Sequence, residues 1–131
     1  MKLKLFSCCI ANLITKTLTQ NYLALVHDLQ NQLKILQTAI ASQLEPAPEI
    51  AKNWLRSHRE IQTFFQSNII NTNLEITPQN LSLQVEIDKQ LKMLGIDLTM
   101  LQTSRSAVTW QKRHQQACDR FVLLDRYFQM H

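Results

Sequence analysis

The chain has 131 residues, of which 45% are hydrophobic, with one Gly, three Pro and a formal net charge of +4. This length suits a single domain with its own core, and the hydrophobic content excludes a wholly disordered chain. So few turn-forming residues exclude a β-rich fold and indicate an all-α protein. The mild positive charge favours an acidic partner, such as a protein surface, an anionic lipid or a nucleic acid, without selecting one.

The chain begins with a basic segment that we predict to be separate from the main domain. Residues 1–13 are predicted to form an N-terminal tail or short extension, and residues 14–131 a single helical-bundle domain. Leu5-Phe6-Ser7-Cys8 loosely resembles a lipidation box, but a secretory signal needs an apolar stretch of about seven residues or more before its cleavage site. We therefore expect a cytoplasmic protein, and the lack of a long apolar run predicts no membrane span.

The cysteine pattern gives no sign of a metal site. Cys8, Cys9 and Cys118 form neither a C-x-x-C pair nor a set with the Cys/His spacing of zinc ligands. We expect reduced thiols.

The first helix is predicted over residues 14–44, where apolar side chains recur on one face: Leu18, Tyr22, Leu25, Leu29, Leu33, Leu36 and Ile40. Such a length is unusual for a compact globule and is typical of a rod-like helical bundle.

Glu45-Pro46-Ala47-Pro48 ends this helix, because the residue before a proline avoids the α conformation. A proline suits the first turn, so the second helix is predicted over residues 48–69. Its buried stripe is predicted to contain Ile50, Trp54, Ile61, Phe65 and Ile69. His58 lies on the same stripe, where we expect a hydrogen-bonded, partly buried imidazole rather than a ligand.

Residues 71–76 are predicted to form a loop, and Thr77 and Pro78 have the residue types of an N-cap and a first helical position. The third helix is predicted over residues 77–105, with a stripe of Ile87, Leu91, Leu94, Leu98 and Leu101. Gly95 lies inside it, at a cost of about 0.8–1.0 kcal/mol relative to Ala. We predict a helix-packing role there, through close approach of another backbone or of a large side chain such as Trp110. A bend of the helix is the alternative.

A break at residues 104–108 precedes the fourth helix, predicted over residues 109–130 with Thr109 or Ser106 as its cap. Its stripe contains Trp110, His114, Ala117, Phe121, Leu124 and Phe128. Short connections between long helices predict antiparallel neighbours, and hence an up-down-up-down four-helix bundle.

The sequence contains no pattern of an enzyme. One glycine cannot form a Gly-rich phosphate loop or a dinucleotide fingerprint, and the nucleophile elbow G-x-S-x-G is missing. No H-x-x-x-H or E-x-x-H pair is formed by His27, His58, His114 and His131. We therefore predict a protein that is not an enzyme and uses no cofactor, metal ion or small-molecule substrate.

The only charge pattern above background lies in the last part of the chain, where five cations meet two acids, Asp119 and Asp125. We predict that the cations form a partner-binding surface: Arg105, Lys112, Arg113, Arg120 and Arg126. The alternative is that they are the solvated side of an amphipathic helix with local charge pairs.

Apolar residues also lie beside the main stripes: Met93, Ile96, Met100, Val122, Leu123, Tyr127 and Met130. Two explanations remain open. They are flanks of a broad core face, which is the commoner case, or they form a homodimer seam or a partner groove, where Met and aromatic side chains are favoured.

The run E-I-D-K-Q-L-K-M-L-G-I-D-L at residues 86–98, followed by L-Q-T-S-R at residues 101–105, resembles a pattern of the PatD family. That pattern reads E-I-x-K-Q-L-[KR]-x-L-G-x-D-[VL], then L-Q-x-[AS]-R. Downstream, T-W-Q-K-R at residues 109–113, Asp119-Arg120 and Asp125-Arg126-Tyr127 are similar to the family's T-x-x-Q-R, D-R and I-R-Y. The resemblance covers the C-terminal third of the chain, and residues 1–80 carry no pattern of the family.

The resemblance implies a small helical regulator of cyanobacteria that binds FtsZ, the tubulin-like division GTPase, and modulates its assembly into filaments. Such a protein links cell division to heterocyst differentiation, and it has neither a cofactor nor a reaction of its own.

Two other functions fit the residues alone. One is a basic helical domain that binds nucleic acid, which we do not expect because the break at residues 104–108 lacks the glycine common in helix-turn-helix turns. The other is a self-associating structural bundle, in which the additional apolar residues form a homodimer seam.

Overall fold

The computed structural model describes residues 2–71 and 76–130, with side chains from residue 21 onward within those ranges. The described residues form four α-helices and no strand, which confirms the predicted all-α class. The helices are α1 (Lys2–Ser42), α2 (Pro48–Phe64), α3 (Pro78–Thr103) and α4 (Ala107–Gln129), and a π-helical segment, Phe65–Ile70, continues α2.

The helices pack as the predicted up-down-up-down bundle. α3 contacts α2 and α4, and α1 contacts the same two helices, so helices that follow one another in the chain are neighbours in space. Contacts between α2 and α3 run in antiparallel order. His58 contacts Leu91, whereas Gln66, further along the chain, contacts Asp88 at an earlier position of α3.

The core is formed by the apolar stripes of all four helices, because residues three and four apart lie on one helix face. Ile50, predicted to be buried, is 41% exposed, since it lies in the first turn of α2 at the end of the bundle. The fully buried large side chains are Trp110, Phe65, Phe121, Leu29, Ile40, Ile69, Ile87, Leu91, Leu94, Leu98, Leu101 and Leu124.

α1 begins at Lys2, within the segment predicted to be a tail. Neither Gly nor Pro occurs between Lys2 and Glu45, so nothing in the sequence interrupts the helix. At about 1.5 Å per residue, its 41 residues span far more than the 23 residues of α4, so α1 extends beyond the four-helix part. The predictions for Cys8, Cys9 and Leu18 concern side chains outside the described set, and most of the predicted loop at residues 71–76 is also outside it.

The helix starts follow the capping chemistry of the sequence. The Thr77 side chain accepts a hydrogen bond from the backbone N–H of Asn80 at 3.1 Å, and Pro78 follows at the first helical position. Of the two cap candidates for α4, Ser106 takes the position and accepts from the N–H of Thr109 at 3.2 Å.

The π-helical segment continues the buried face of α2. Ile61, Phe65 and Ile69 recur at steps of four and are all buried. Phe65 and Ile69 thus stay on the core side through the wider turns of this segment.

Candidate partner-binding surface

α4 presents one stripe of side chains directly away from the core. Because Ala117, Phe121 and Leu124 face inward, the residues on the opposite side of the helix are exposed. We call them the outer stripe: Val108, Lys112, Gln115, Asp119, Val122 and Arg126. They follow one another at steps of four and three, and so they form a continuous surface along the helix.

Two of the five predicted cations lie on the outer stripe. Lys112 and Arg126 are exposed and form no ion pair within the described part of the chain. The acid between them, Asp119, accepts a hydrogen bond from Gln115 at 2.8 Å. Arg105 is exposed in the connection before α4. These three cations are therefore open to an acidic partner.

Arg113 lies at the edge of this surface. It is partly buried and donates to the side-chain oxygen of Gln116 at 3.3 Å, within its own helix.

Arg120 faces α3 instead of solvent. Its Nε donates to the carboxylate of Asp97 at 3.1 Å, and a terminal guanidinium nitrogen donates to the side-chain oxygen Oε1 of Gln90 at 2.8 Å. Asp97 is only 8% exposed, so this is a largely desolvated ion pair between two helices. Arg120 thus joins α4 to α3, and it is the least available of the five cations for a partner.

The sequence contains a signal for this network that the pattern of basic residues alone does not show. Gln90 and Asp97 are seven residues apart at the edge of the apolar stripe of α3, where polar side chains of one helix meet the next helix. A second polar contact follows further along, where the Tyr127 hydroxyl donates to Glu86 at 3.4 Å.

Most of the additional apolar residues are outside the core. Met93, Ile96 and Met100 of α3 are exposed, with Ile96 at 52%, and so are Val122 and Met130 near the end of the chain. Leu123 and Tyr127 are partly buried. The five exposed residues are therefore not flanks of the core, and they are available for contacts with another molecule.

Gly95 packs against the ring of His58. A Cβ built on Gly95 would lie 2.8 Å from Cε1 of that ring, which is too close for an ordinary contact. The close neighbour is thus an imidazole from α2 and not the predicted Trp110.

His58 is buried and hydrogen-bonded, as we predicted for this stripe. Its Nε2–H donates to the Leu91 carbonyl at 2.6 Å. Burial lowers the pKa of His58 below its ordinary value of 6.5, the hydrogen bond to Leu91 opposes this effect, and the positive charge of Arg59 adds to it.

Trp110 packs in the core, stacked on His114 with their ring centroids 4.6 Å apart. His114 donates to the Ile40 carbonyl at 2.6 Å, which joins α4 to α1. Burial raises the pKa of the Cys118 thiol, and the neighbouring Asp119 raises it further, so this thiol stays protonated near neutral pH.

The described residues contain no group of three or more His, Cys, Asp or Glu side chains placed to hold a metal ion. None of the described helices combines the length and the apolar character needed to cross a membrane.

No protein-family model, no curated protein and no solved structure matches the chain. The resemblance to PatD therefore stays a prediction.

Proposed function

We propose that this protein is a non-enzymatic regulator that binds an acidic protein surface through the outer stripe of α4 and Arg105. The observation that supports this most directly is that Lys112 and Arg126 are exposed without an ion-pair partner among the described residues, beside exposed Val108 and Val122. Charged groups set the rate of encounter with a partner, and apolar contacts prolong the complex.

The partner that we propose is FtsZ, which the resemblance at residues 86–105 implies. Binding along a filament would modulate assembly by lateral association or cross-linking of filaments. In this proposal the protein has no reaction of its own.

Co-sedimentation of the purified protein with FtsZ and GTP, at low and high salt, tests the partner. We expect pelleting that depends on GTP and weakens as salt screens the charges. If the wild-type protein fails to pellet with FtsZ at low salt, the proposed partner is wrong.

A pair of double variants tests the surface. Lys112→Glu/Arg126→Glu reverses the outer stripe, and Lys34→Glu/Arg56→Glu makes the same change of net charge at exposed positions of α1 and α2. We expect at least a tenfold loss of affinity for FtsZ in the first variant and little loss in the second. Equal losses in both would show that net charge, and not this surface, governs binding.

Arg120 is unsuitable for this test, because Arg120→Glu would place a carboxylate against Asp97 and destabilise the fold. Reversal of Arg113 with the outer stripe left intact would show whether the surface extends to the edge facing Gln116.

A further inference from the structure

α2 and α3 leave an open groove between them, on a different face from the outer stripe. It is lined by His58, Gln62, Lys92, Gly95, Ile96, Thr99 and Met100. We call it the Gly95 groove. The glycine has no side chain to fill it, and the ring of His58 forms its floor at this point.

The groove offers apolar surface to solvent. Ile96 is 52% exposed and Met100 is 38% exposed, four residues apart and thus on one side of α3. From Lys92 to Met100 the helix rises by about 12 Å, which is the length of about two helical turns. A short helix packed along α3 could therefore contact both Ile96 and Met100 with two apolar side chains that are three or four residues apart in its own sequence.

The rim of the groove is positively charged. Arg59 is three residues before Gln62 and so lies beside it on α2, and Lys52 lies seven residues earlier on the same side. Both are exposed and form no ion pair among the described residues. Lys92, on the α3 side, contacts Asp88 at 2.8 Å and remains largely exposed. Three cations and one acid leave the rim with a net positive charge.

The acidic side chain of this part of α2 lies elsewhere. Glu60 lines the groove between α1 and α2, on the far side of the helix. On α2, the acidic side chain of Glu60 therefore lies toward α1, and the basic side chains of Arg59 and Lys52 lie toward α3.

We propose that the Gly95 groove binds a short acidic amphipathic helix of a partner protein. Two apolar side chains of that helix would contact Ile96 and Met100, and its carboxylates would pair with Arg59, Lys52 and Lys92. A second copy of this groove would bring these cations against their own equivalents, so charge disfavours self-pairing at this face. The proposal does not depend on whether FtsZ binds the outer stripe.

A synthetic peptide of 14 residues tests the proposal, with Leu at spacings of three and four and Glu at most other positions. A matched peptide carries Lys in place of each Glu. Titration into the isotope-labelled full-length protein, followed by NMR, gives both affinity and location. We expect the acidic peptide to shift the amide signals of residues 92–100 and of the facing part of α2, and the basic peptide to bind at least tenfold more weakly.

Two pairs of variants make the test specific. Arg59→Glu is compared with Lys34→Glu, and Ile96→Glu with Ile35→Glu, which makes the same change at an exposed isoleucine of α1. We expect at least a tenfold loss of peptide affinity in the first member of each pair and less than a twofold change in the second. Thermal unfolding of each variant verifies the fold.

Three outcomes would overturn the proposal. They are equal binding of the acidic and basic peptides, signal changes centred away from the groove, and unchanged affinity in folded Arg59→Glu and Ile96→Glu. A different result would be that the same amide signals shift when the protein is concentrated without peptide and stay unchanged when peptide is added. In that case the groove is a contact between two copies of the protein, and the proposed occupant is wrong.

Discussion

The two sides of α3 are joined to their neighbours by different chemistry. Toward α2, the contact at Gly95 depends on close fit, since the ring of His58 lies against the glycine and donates to the backbone carbonyl of Leu91. Toward α4, the contact is one of charge, since Arg120 pairs with Asp97 and also donates to Gln90. Gly95 and Asp97 are only two residues apart, but two residues rotate a helix by about 200°, so they face opposite neighbours.

This difference changes what the resemblance at residues 86–98 means. Gln90, Gly95 and Asp97 belong to its most distinctive part, and in the structure all three hold helices together. These three positions of the motif therefore serve the packing of the bundle. A partner surface must be sought in the exposed residues, such as Lys112 and Arg126.

Removing the ion pair between Arg120 and Asp97 should have the largest effect on stability. Arg120→Ala leaves the carboxylate of Asp97 and the amide of Gln90 without their partner in a poorly hydrated place. We expect a loss of about 3 kcal/mol in the free energy of unfolding, at the low end for a buried pair because Arg120 keeps some contact with water. Urea denaturation of the variant measures this loss.

A double-mutant cycle shows whether the loss comes from the pair. Asp97→Asn and the double variant Arg120→Ala/Asp97→Asn complete the cycle, and we expect a coupling of about 1–3 kcal/mol between the two positions. Additive single effects would mean that the ion pair does not hold α3 to α4.

Changing the contact between Gly95 and His58 should have a smaller effect on the free energy of unfolding. Its sign should be opposite to that of Gly→Ala in an ordinary exposed helix. In an open helix, Gly→Ala stabilises by up to about 1 kcal/mol. At Gly95 the new methyl group would lie 2.8 Å from His58 Cε1. The ring is buried and held by its hydrogen bond to Leu91, so it cannot easily move aside, and we expect Gly95→Ala to destabilise by about 1 kcal/mol.

The sign should reverse when the ring is removed. In a His58→Ala background, the same Gly95→Ala substitution has room and should stabilise the protein relative to that background. Urea denaturation of the four proteins measures both signs. If Gly95→Ala stabilises the wild-type protein, the imidazole does not limit the space at this position.

The sequence predicted the fold well for identifiable reasons. The stripe of Ile87, Leu91 and Leu94 indicated the core face of α3, and the residue types around Thr77 indicated its start. The apolar stripe and the helix start are both determined by residues that are close together in the sequence. The sole glycine inside a helix also indicated a close contact, but the identity of the neighbour, His58, depended on the register between α2 and α3, which no local pattern fixes.

The charged residues were harder to interpret for the same reason. Arg113, Arg120 and Arg126 look alike in the sequence, yet Arg126 is exposed and Arg120 is paired with Asp97, 23 residues away. Whether a cation serves a partner or the fold depends on which acid lies opposite on the next helix. Only the packed structure separates the two roles.

We also expect a dependence of stability on pH that comes from His58, which packs against Gly95. Since the pKa of His58 is lowered in the folded protein, the unfolded chain binds more protons than the native state just below pH 6.5. The contribution of neutral His58 to the free energy of unfolding should be fully present above about pH 7. It should decrease as the pH falls through 6.5 toward the lowered pKa, and the slope for one proton is at most about 1.4 kcal/mol per pH unit. Urea denaturation between pH 7 and 5 measures the slope, and His58→Gln should flatten it. A slope that is unchanged in His58→Gln would place its origin in other groups, whereas a stability that rises on acidification would contradict the burial of a neutral imidazole against Gly95.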